Sequence, residues 1–250
     1  MIVGGILLGI DIGGSAIKGS PVDVHAGRLT EQRVRHPTPE PATPDAVADT
    51  VTALVGRFPL KGPIGCTFPG VIKHGSVCTA VNLDPAWVGM DIDGLLTERT
   101  GRPVTVMNDA DAAGLAEVTF GAGRDRRDLV LMLTLGTGIG SALFHDGRLV
   151  PNTELGHLSL RGQDAETLAA ARIKDEQDLT WEAYAELVNG YLQLVETVLW
   201  PDLIIIGGGI SADHAQWFHL LRTRAELRPA QLANNAGIIG AARWVAEQRP

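Results

Sequence analysis

A chain of 250 residues that is 45% hydrophobic and 20% charged can build a real core and has the balance of an ordinary globular protein. Its net charge of -8 argues against a nucleic-acid partner, because such proteins carry a basic face. No apolar run approaches the ~18 residues of a membrane span. The apolar start lacks a basic leader, and Cys66 and Cys78 stand in no metal-ligand spacing, so a reducing cytoplasm is the expected setting.

Residues 6–12 read as a buried strand ending at Gly13-Gly14, followed by strands at 17–24 and near Arg28 in an antiparallel meander. Residues 30–44 hold four prolines and no periodicity, and read as a surface loop. Asp45 is expected to cap a helix whose apolar residues Val47, Val51, Leu54, Val55 and Phe58 keep helical spacing. Residues 64–68 and 104–107 read as strands of the same sheet, and 110–120 as a helix opened by Asn108 or Asp109. A second system follows: a strand at 129–135, the turn Gly136-Thr137-Gly138-Ile139-Gly140, a strand at 141–144 and an Asp146-Gly147 turn suited to a hairpin. It echoes the start of the chain, LLGIDIGGSAIKGS…AGRL against LMLTLGTGIGSALF…DGRL, and suggests two lobes whose glycine turns face a shared cleft. Residues 181–199 carry one long apolar stripe, for a core or a subunit interface. Pro201 stops it, 203–206 reads as a strand, and Gly207-Gly208-Gly209 breaks before Ser211 caps another helix. Residues 235–248 read as a terminal helix in which Gly237 and Gly240 permit close packing.

Three glycine-rich turns thus follow three apolar strands. Glycine lets backbone N–H groups converge on an anion with no side chain in the way. Asp11-Ile12-Gly13-Gly14-Ser15, with Lys18 close behind, puts a carboxylate, a hydroxyl and a cation at one phosphate-sized spot, and Gly136-Thr137-Gly138 repeats the turn. Neither is a P-loop, and the GxGxG spacing followed by a strand is not a dinucleotide fingerprint. Gly207 to Gly209 either joins strand to helix or lets the far end of a nucleotide lie on backbone. Asn108-Asp109-Ala110-Asp111 has two readings: a plain N-cap, or a carboxylate that accepts a hydroxyl proton beside an amide that orients a sugar. Glu154-Leu155-Gly156-His157 offers a carboxylate and an imidazole suited to adjacent sugar hydroxyls, the alternative being a structural histidine. Asp164 and Glu166 read by themselves as a solvated helix start.

In this order, Asp11-Ile12-Gly13-Gly14-Ser15, Asn108-Asp109-Ala110-Asp111-Ala112, Leu135 to Gly140, Glu154-Leu155-Gly156-His157 and Ile206 to Ile210 resemble the motifs of the ROK (repressor, ORF, kinase) family of sugar kinases. The likeness runs from Leu8 to Ala242. Thr67-Phe68-Pro69-Gly70, Asn82-Leu83-Asp84 and Asn234 to Ile238 are similar to the branch that phosphorylates glucose from inorganic polyphosphate. The resemblance implies an α/β, two-lobed actin/hexokinase-like (ribonuclease H-like) ATPase fold with a cleft between the lobes. Residues 1–108 plus 236–250 would form the small lobe and 109–235 the large one.

It also implies roles. Asp109 would be the catalytic base, and Asn108, Glu154, His157, Glu166 and Asn82 would hold the sugar. Gly13, Gly14, Ser15, Lys18, Gly136, Thr137 and Gly138 would hold phosphates, Gly208 and Gly209 the donor's far end, and Asp11 a Mg²⁺ ion. The reaction implied is phosphoryl transfer to the 6-hydroxyl of glucose or mannose from polyphosphate and ATP, in a homodimer without nucleic-acid or membrane partners. A strictly ATP-dependent hexokinase and a sugar sensor without turnover are the alternatives. Most of the family carries a zinc-binding Cys-rich segment shortly after the Gly-His pair; this chain has none there, so no zinc is expected. The first strand begins by residue 6, leaving no room for the helix-turn-helix of the repressor branch. A polyanionic donor wants cations, and the densest cluster is Arg124, Arg126 and Arg127, with Lys61, Lys73, Arg148 and Arg161 elsewhere.

Overall fold

The computed structural model describes residues 5–80 and 83–248. The chain divides into two compact units: residues up to Ala116 together with those from Asn235 onward, and Glu117–Asn234. The boundary expected at 108/109 thus falls eight residues later, inside a helix.

In the first unit, β1 (Ile6–Ile12) and β2 (Ala16–Asp23) form an antiparallel pair around the Gly13-Gly14 turn. β3 (Arg28–Leu29) continues the meander. The proline-rich stretch holds a further strand, β4 (Val34–Pro37), in antiparallel register with β2 from Ala16↔Pro37 to Gly19↔Val34. Proline is tolerated there because β4 lies at a sheet edge, and its half-exposed residues leave no apolar alternation to read. Helix α1 (Pro44–Val55) is capped by Thr43, whose hydroxyl accepts from the Ala46 amide, and not by Asp45. Pro44 occupies the first helical position, which needs no N–H, and this shifts the start back. β5 (Ile64–Phe68) is buried throughout and pairs in parallel with β1. A small hairpin, β6 (Ile72–Lys73) and β7 (Ser76–Val77), leads to helix α2 (Ile92–Thr100), which buries only Ile92 and Leu96 and so has no stripe to betray it. β8 (Val104–Asn108) pairs in parallel with β5 and passes directly into α3 (Asp109–Phe120). The strand order is β3-β2-β1-β5-β8.

The second unit repeats the plan. β9 (Val130–Leu135), β10 (Ile139–His145) and β11 (Arg148–Val150) form an antiparallel meander. A two-stranded ribbon, β12 (Ser159–Leu160) with β13 (Gln163–Asp164), precedes helices α4 (Glu166–Ala169), α5 (Ala171–Glu176) and α6 (Trp181–Leu199). β14 (Leu203–Gly207) pairs in parallel with β9, α7 (His214–Trp217) follows, and β15 (Glu226–Pro229) closes the sheet. The order β11-β10-β9-β14-β15 is that of the first unit, so the sequence echo marks a repeated topology. Helix α6 buries Tyr184, Val188, Tyr191, Leu192 and Val195 in one cluster with Leu131, Leu133, Ile204 and Ile206, while Val198 at its end is exposed. Ser211 caps no long helix. It lies within the short 3₁₀ turn Gly209–Asp213, and its hydroxyl donates back to the Gly208 carbonyl at 2.7 Å.

The last helix, α8 (Ala236–Glu247), belongs to the first unit and explains the displaced boundary. It lies backbone to backbone on the sheet: a methyl group at Gly9 or Gly65 would run into the carbonyls of Ile238 or Ala241. Gly240 likewise faces the Ala112 carbonyl, which ties the first turns of α3 to this unit.

Candidate active site

In the first unit the chemistry gathers at strand ends. Asp11 stands opposite Lys18 in the β1–β2 register and opposite Thr67 in the β1–β5 register. The buried Thr67 hydroxyl donates to Asp11 Oδ1 at 2.8 Å, and Lys18 Nζ lies 3.4 Å from Oδ2. The carboxylate therefore keeps a fixed direction beside the Gly13-Gly14-Ser15 turn. Gly14 and Ser15 are exposed there. Thr67 was legible only as part of a turn motif; its partnership with Asp11 needs the sheet register.

At the end of β8, Asn108 is buried and makes two side-chain hydrogen bonds. Its Nδ2 donates to the Gly70 carbonyl at 3.1 Å, and its Oδ1 accepts from the Asp111 amide at 3.0 Å. Asn108 is thus the N-cap of α3, the job that either residue could have filled. Asp109 is half-buried at the first helical position, with Oδ1 accepting from the Ala110 amide at 2.8 Å. Asn82, the remaining sugar-side expectation in this unit, lies outside the described residues.

In the second unit, Glu154, His157, Asp164 and Glu166 form one polar group. His157 Nε2 lies 3.9 Å from Glu154 Oε2, and its Nδ1 lies 3.0 Å from Asp164 Oδ2. The Asp164 bond, outweighing partial desolvation, raises the imidazole's proton affinity above the ordinary histidine value. Burial lifts the Glu154 carboxyl above its usual range, against the pull of His157 and with the push of Glu166. Asp164, read as a solvated helix start, instead fixes the histidine ring. Nothing in the sequence alone pairs those two, because the β12–β13 ribbon brings them together. Glu166 turns toward the glycine turn, where Oε2 accepts from the Ile139 amide at 3.3 Å.

The two glycine turns of this unit converge. A pocket of 420 Å³ is lined by Gly136, Thr137, Arg172, Lys174, Trp181 and Gly209, among others. Arg172 Nε donates to the Thr137 carbonyl at 2.6 Å, and its backbone amide donates to the Gly136 carbonyl at 3.1 Å. Lys174 Nζ sits over the Trp181 ring at 4.5 Å. Gly208 holds φ +84°, and any side chain there would strike the Leu135 carbonyl, so this position requires glycine. Asp213 and Asp175 add acceptors to the wall.

Each arginine of the expected basic cluster stands beside a carboxylate, tightly at Arg126 and loosely at the exposed Arg124 and Arg127. Arg126 bonds Asp128 and Glu226 at 2.6 Å each, Arg127 lies 3.8 Å from Asp146, Arg124 lies 3.7 Å from Asp125, and Arg228 pairs with Glu226. Four arginines face four carboxylates. Lys61, Lys73, Arg148 and Arg161 are exposed on separate segments.

A strand, glycine turn, strand unit made twice over, with a carboxylate on the first strand of one copy, defines the actin/hexokinase-like fold. The solved relatives agree: an inorganic polyphosphate/ATP-glucomannokinase from Arthrobacter sp. strain KM superposes with a TM-score of 0.94 at 50% identity, covering 98% of this chain and 99% of that one. A glucokinase from Streptomyces griseus, solved with glucose and AMPPNP, shares the fold with a TM-score of 0.82 at 24% identity, covering 96% of this chain and 99% of that one. The ROK family model matches residues 7–168, and the chain belongs to the ROK family. Among curated proteins, a polyphosphate glucokinase of Mycobacterium tuberculosis is 50% identical over 235 residues, which are 94% of this chain and 89% of that protein.

Proposed function

We propose that this chain is a glucokinase that transfers a phosphoryl group from inorganic polyphosphate, and from ATP, to the 6-hydroxyl of glucose. The observation that carries the reading is the 50% identity to a polyphosphate glucokinase along 94% of the chain. The geometry is compatible with it: Asn108 takes the Asp111 amide as N-cap of α3, and Asp109 stands beside it at the first helical position with Oδ1 on the Ala110 amide. Asp109 accepts the proton of the attacking 6-hydroxyl, while Asn108, Glu154, His157 and Glu166 orient the sugar ring. Glu154 and His157 suit this work because a carboxyl group accepts from one hydroxyl while an imidazole N–H donates to the next. The Gly136-Thr137-Gly138 and Gly13-Gly14-Ser15 turns present amides to the donor's phosphates, with Lys18 and Arg172 as flanking cations. Catalysis of this kind is positioning and charge stabilisation.

Magnesium fits Asp11. Mg²⁺ keeps most of its waters and takes phosphate oxygens, so it needs only one or two protein carboxylates. Asp11 supplies one beside a glycine turn, held by Thr67. When bound, the ion would neutralise charge on the transferring phosphates. Among the described residues no group of three or more His, Cys, Asp or Glu gathers to hold a metal by itself.

Glucose as acceptor, with mannose as a second sugar, and both donors form one coupled assay. Glucose 6-phosphate made from polyphosphate in the absence of nucleotide supports the reading; turnover with ATP alone reduces it to an ATP hexokinase. No helix among the described residues is long and apolar enough to cross a membrane. A cytoplasmic homodimer is the expected working form, and sedimentation tests its stoichiometry.

A further inference from the structure

The strand that delivers Asn108 and Asp109 is a sheet edge. β8 ends the order β3-β2-β1-β5-β8, so alternate amides along it point away from β5 and have no strand to bond. Helix α2 supplies the missing acceptors from its side chains. The Val104 amide donates to Thr97 Oγ1 at 3.0 Å, and the Val106 amide donates to Asp93 Oδ1 at 2.8 Å. The spacing is matched: four residues of helix rise about 6 Å, and two residues of strand advance about 6.6 Å. Residues 93 and 97 can therefore serve amides 106 and 104 together.

Asp93 has a second attachment. The Gly75 carbonyl, at the tip of the β6–β7 hairpin, accepts from the amides of Ile92 at 2.9 Å and Asp93 at 3.4 Å. The Asp93 carboxylate packs on Gly75, which holds φ +76°. That hairpin follows Gly70, whose carbonyl takes the Asn108 side-chain amide. Two routes thus run from Asp93 to Asn108, one along β8 and one through the hairpin.

The chemistry is costly for a mere spacer. Asp93 is half-buried, forms no ion pair with a cation among the described residues, and has Asp91 adding like charge nearby. An apolar residue would cover the edge without that cost, but it would leave the Val106 amide without its acceptor.

We infer that Asp93 is a positioning residue for phosphoryl transfer: its Oδ1 holds β8 at Val106 and so sets where Asn108 and Asp109 stand. The inference rests on Asp109 being the base. Asp93 is not among the residues proposed to hold sugar or donor, so its loss is expected to lower kcat far more than it raises either KM.

The test compares D93A, D93N and T97V in the full chain, with D109N alongside. Misplacement of a reacting group by about 1 Å costs up to ~10²-fold. D93A is accordingly expected to lower kcat roughly 10- to 100-fold, with KM for glucose and donor within about 3-fold. D93N keeps an acceptor oxygen at the same place and is expected to restore kcat to within about 3-fold of the parent. T97V acts two residues further from the base and is expected to cost less than D93A. A D93A protein with parental kcat, a loss confined to KM, or a D93N protein as slow as a folded D93A would each overturn the inference. Should D93A not fold, D93S, whose hydroxyl falls short of Val106, takes its place on the same criteria. If D109N retains turnover, the base assignment fails first; if D109N is inactive and D93A is normal, only the role of Asp93 fails.

Discussion

Asp109 and Asn108 are neighbours in sequence with the same short polar chemistry, yet they are given different work by one hydrogen bond. Because Asn108 takes the Asp111 amide, Asp109→Asn should leave the fold intact and lower kcat by ~10²–10⁴-fold, the usual range for a general base. Retained glucose binding with lost turnover in calorimetry and a coupled assay is the expected pattern. His157 offers a second check. The bond to Asp164 raises its proton affinity, so a native-state group of this kind adds stability below the unfolded histidine value and loses it as pH rises through the raised one. Asp164→Asn should therefore bring the imidazole titration to lower pH, as followed by its ring-proton shifts, and raise KM for glucose while sparing kcat. Glu154 and His157 were legible from their spacing. Asp164 was legible only as a carboxylate, because its partner is chosen by a two-residue ribbon.

Elements behave in the same way: those with a strong apolar pattern were readable, and those that cover or edge them were not. β1, β5, β9 and β14 declare themselves by burial on both faces. β4 and α2 do not, being half-exposed elements whose places are set by the edges they pair with. Asp93 on α2 carries a stability consequence distinct from its proposed role. Burial raises its carboxyl to about 6, against the Val106 amide that lowers it and with Asp91 raising it. The protonated form is thus favoured on folding: the stabilisation is full below the unfolded value and is lost as pH climbs through about 6. Asp93→Asn should raise the stability at pH 7.5 by about 1–2 kcal/mol, discounted for partial solvent access, with the advantage gone near pH 4 in urea titrations. The packing of α8 makes a separate claim. Gly65→Ala would drive a methyl group into the Ala241 carbonyl, and a loss of about 2–4 kcal/mol is expected in thermal melts.

At the scale of the molecule the question is charge. A chain of net charge -8 that uses a polyanion must concentrate cations locally. The Arg124 to Arg127 loop does not do this, since its arginines are matched by carboxylates. The double variant Arg124→Ala, Arg127→Ala should therefore change KM for polyphosphate by less than about 2-fold, exposed pairs being worth ~0–1 kcal/mol. Arg172 and Lys174, at the pocket behind Thr137, are better placed. Raising the salt from ~0.05 to ~0.3 M should increase KM for polyphosphate more steeply than KM for ATP, because a longer polyanion meets more screened cations.

The order of motifs in the sequence was enough to place this chain among the ROK sugar kinases and to single out the residues proposed as its base, sugar side and phosphate turns. Those features are local: strand, glycine turn and cap are written in consecutive residues. The partners were decided by the tertiary structure. Thr67 meets Asp11, Asp164 meets His157 and Asp93 meets Val106 only through register and edge pairing, which join residues that no short-range pattern links. The same is true of one charge in the basic run, where Glu226, a hundred residues away in the chain, pairs with Arg126.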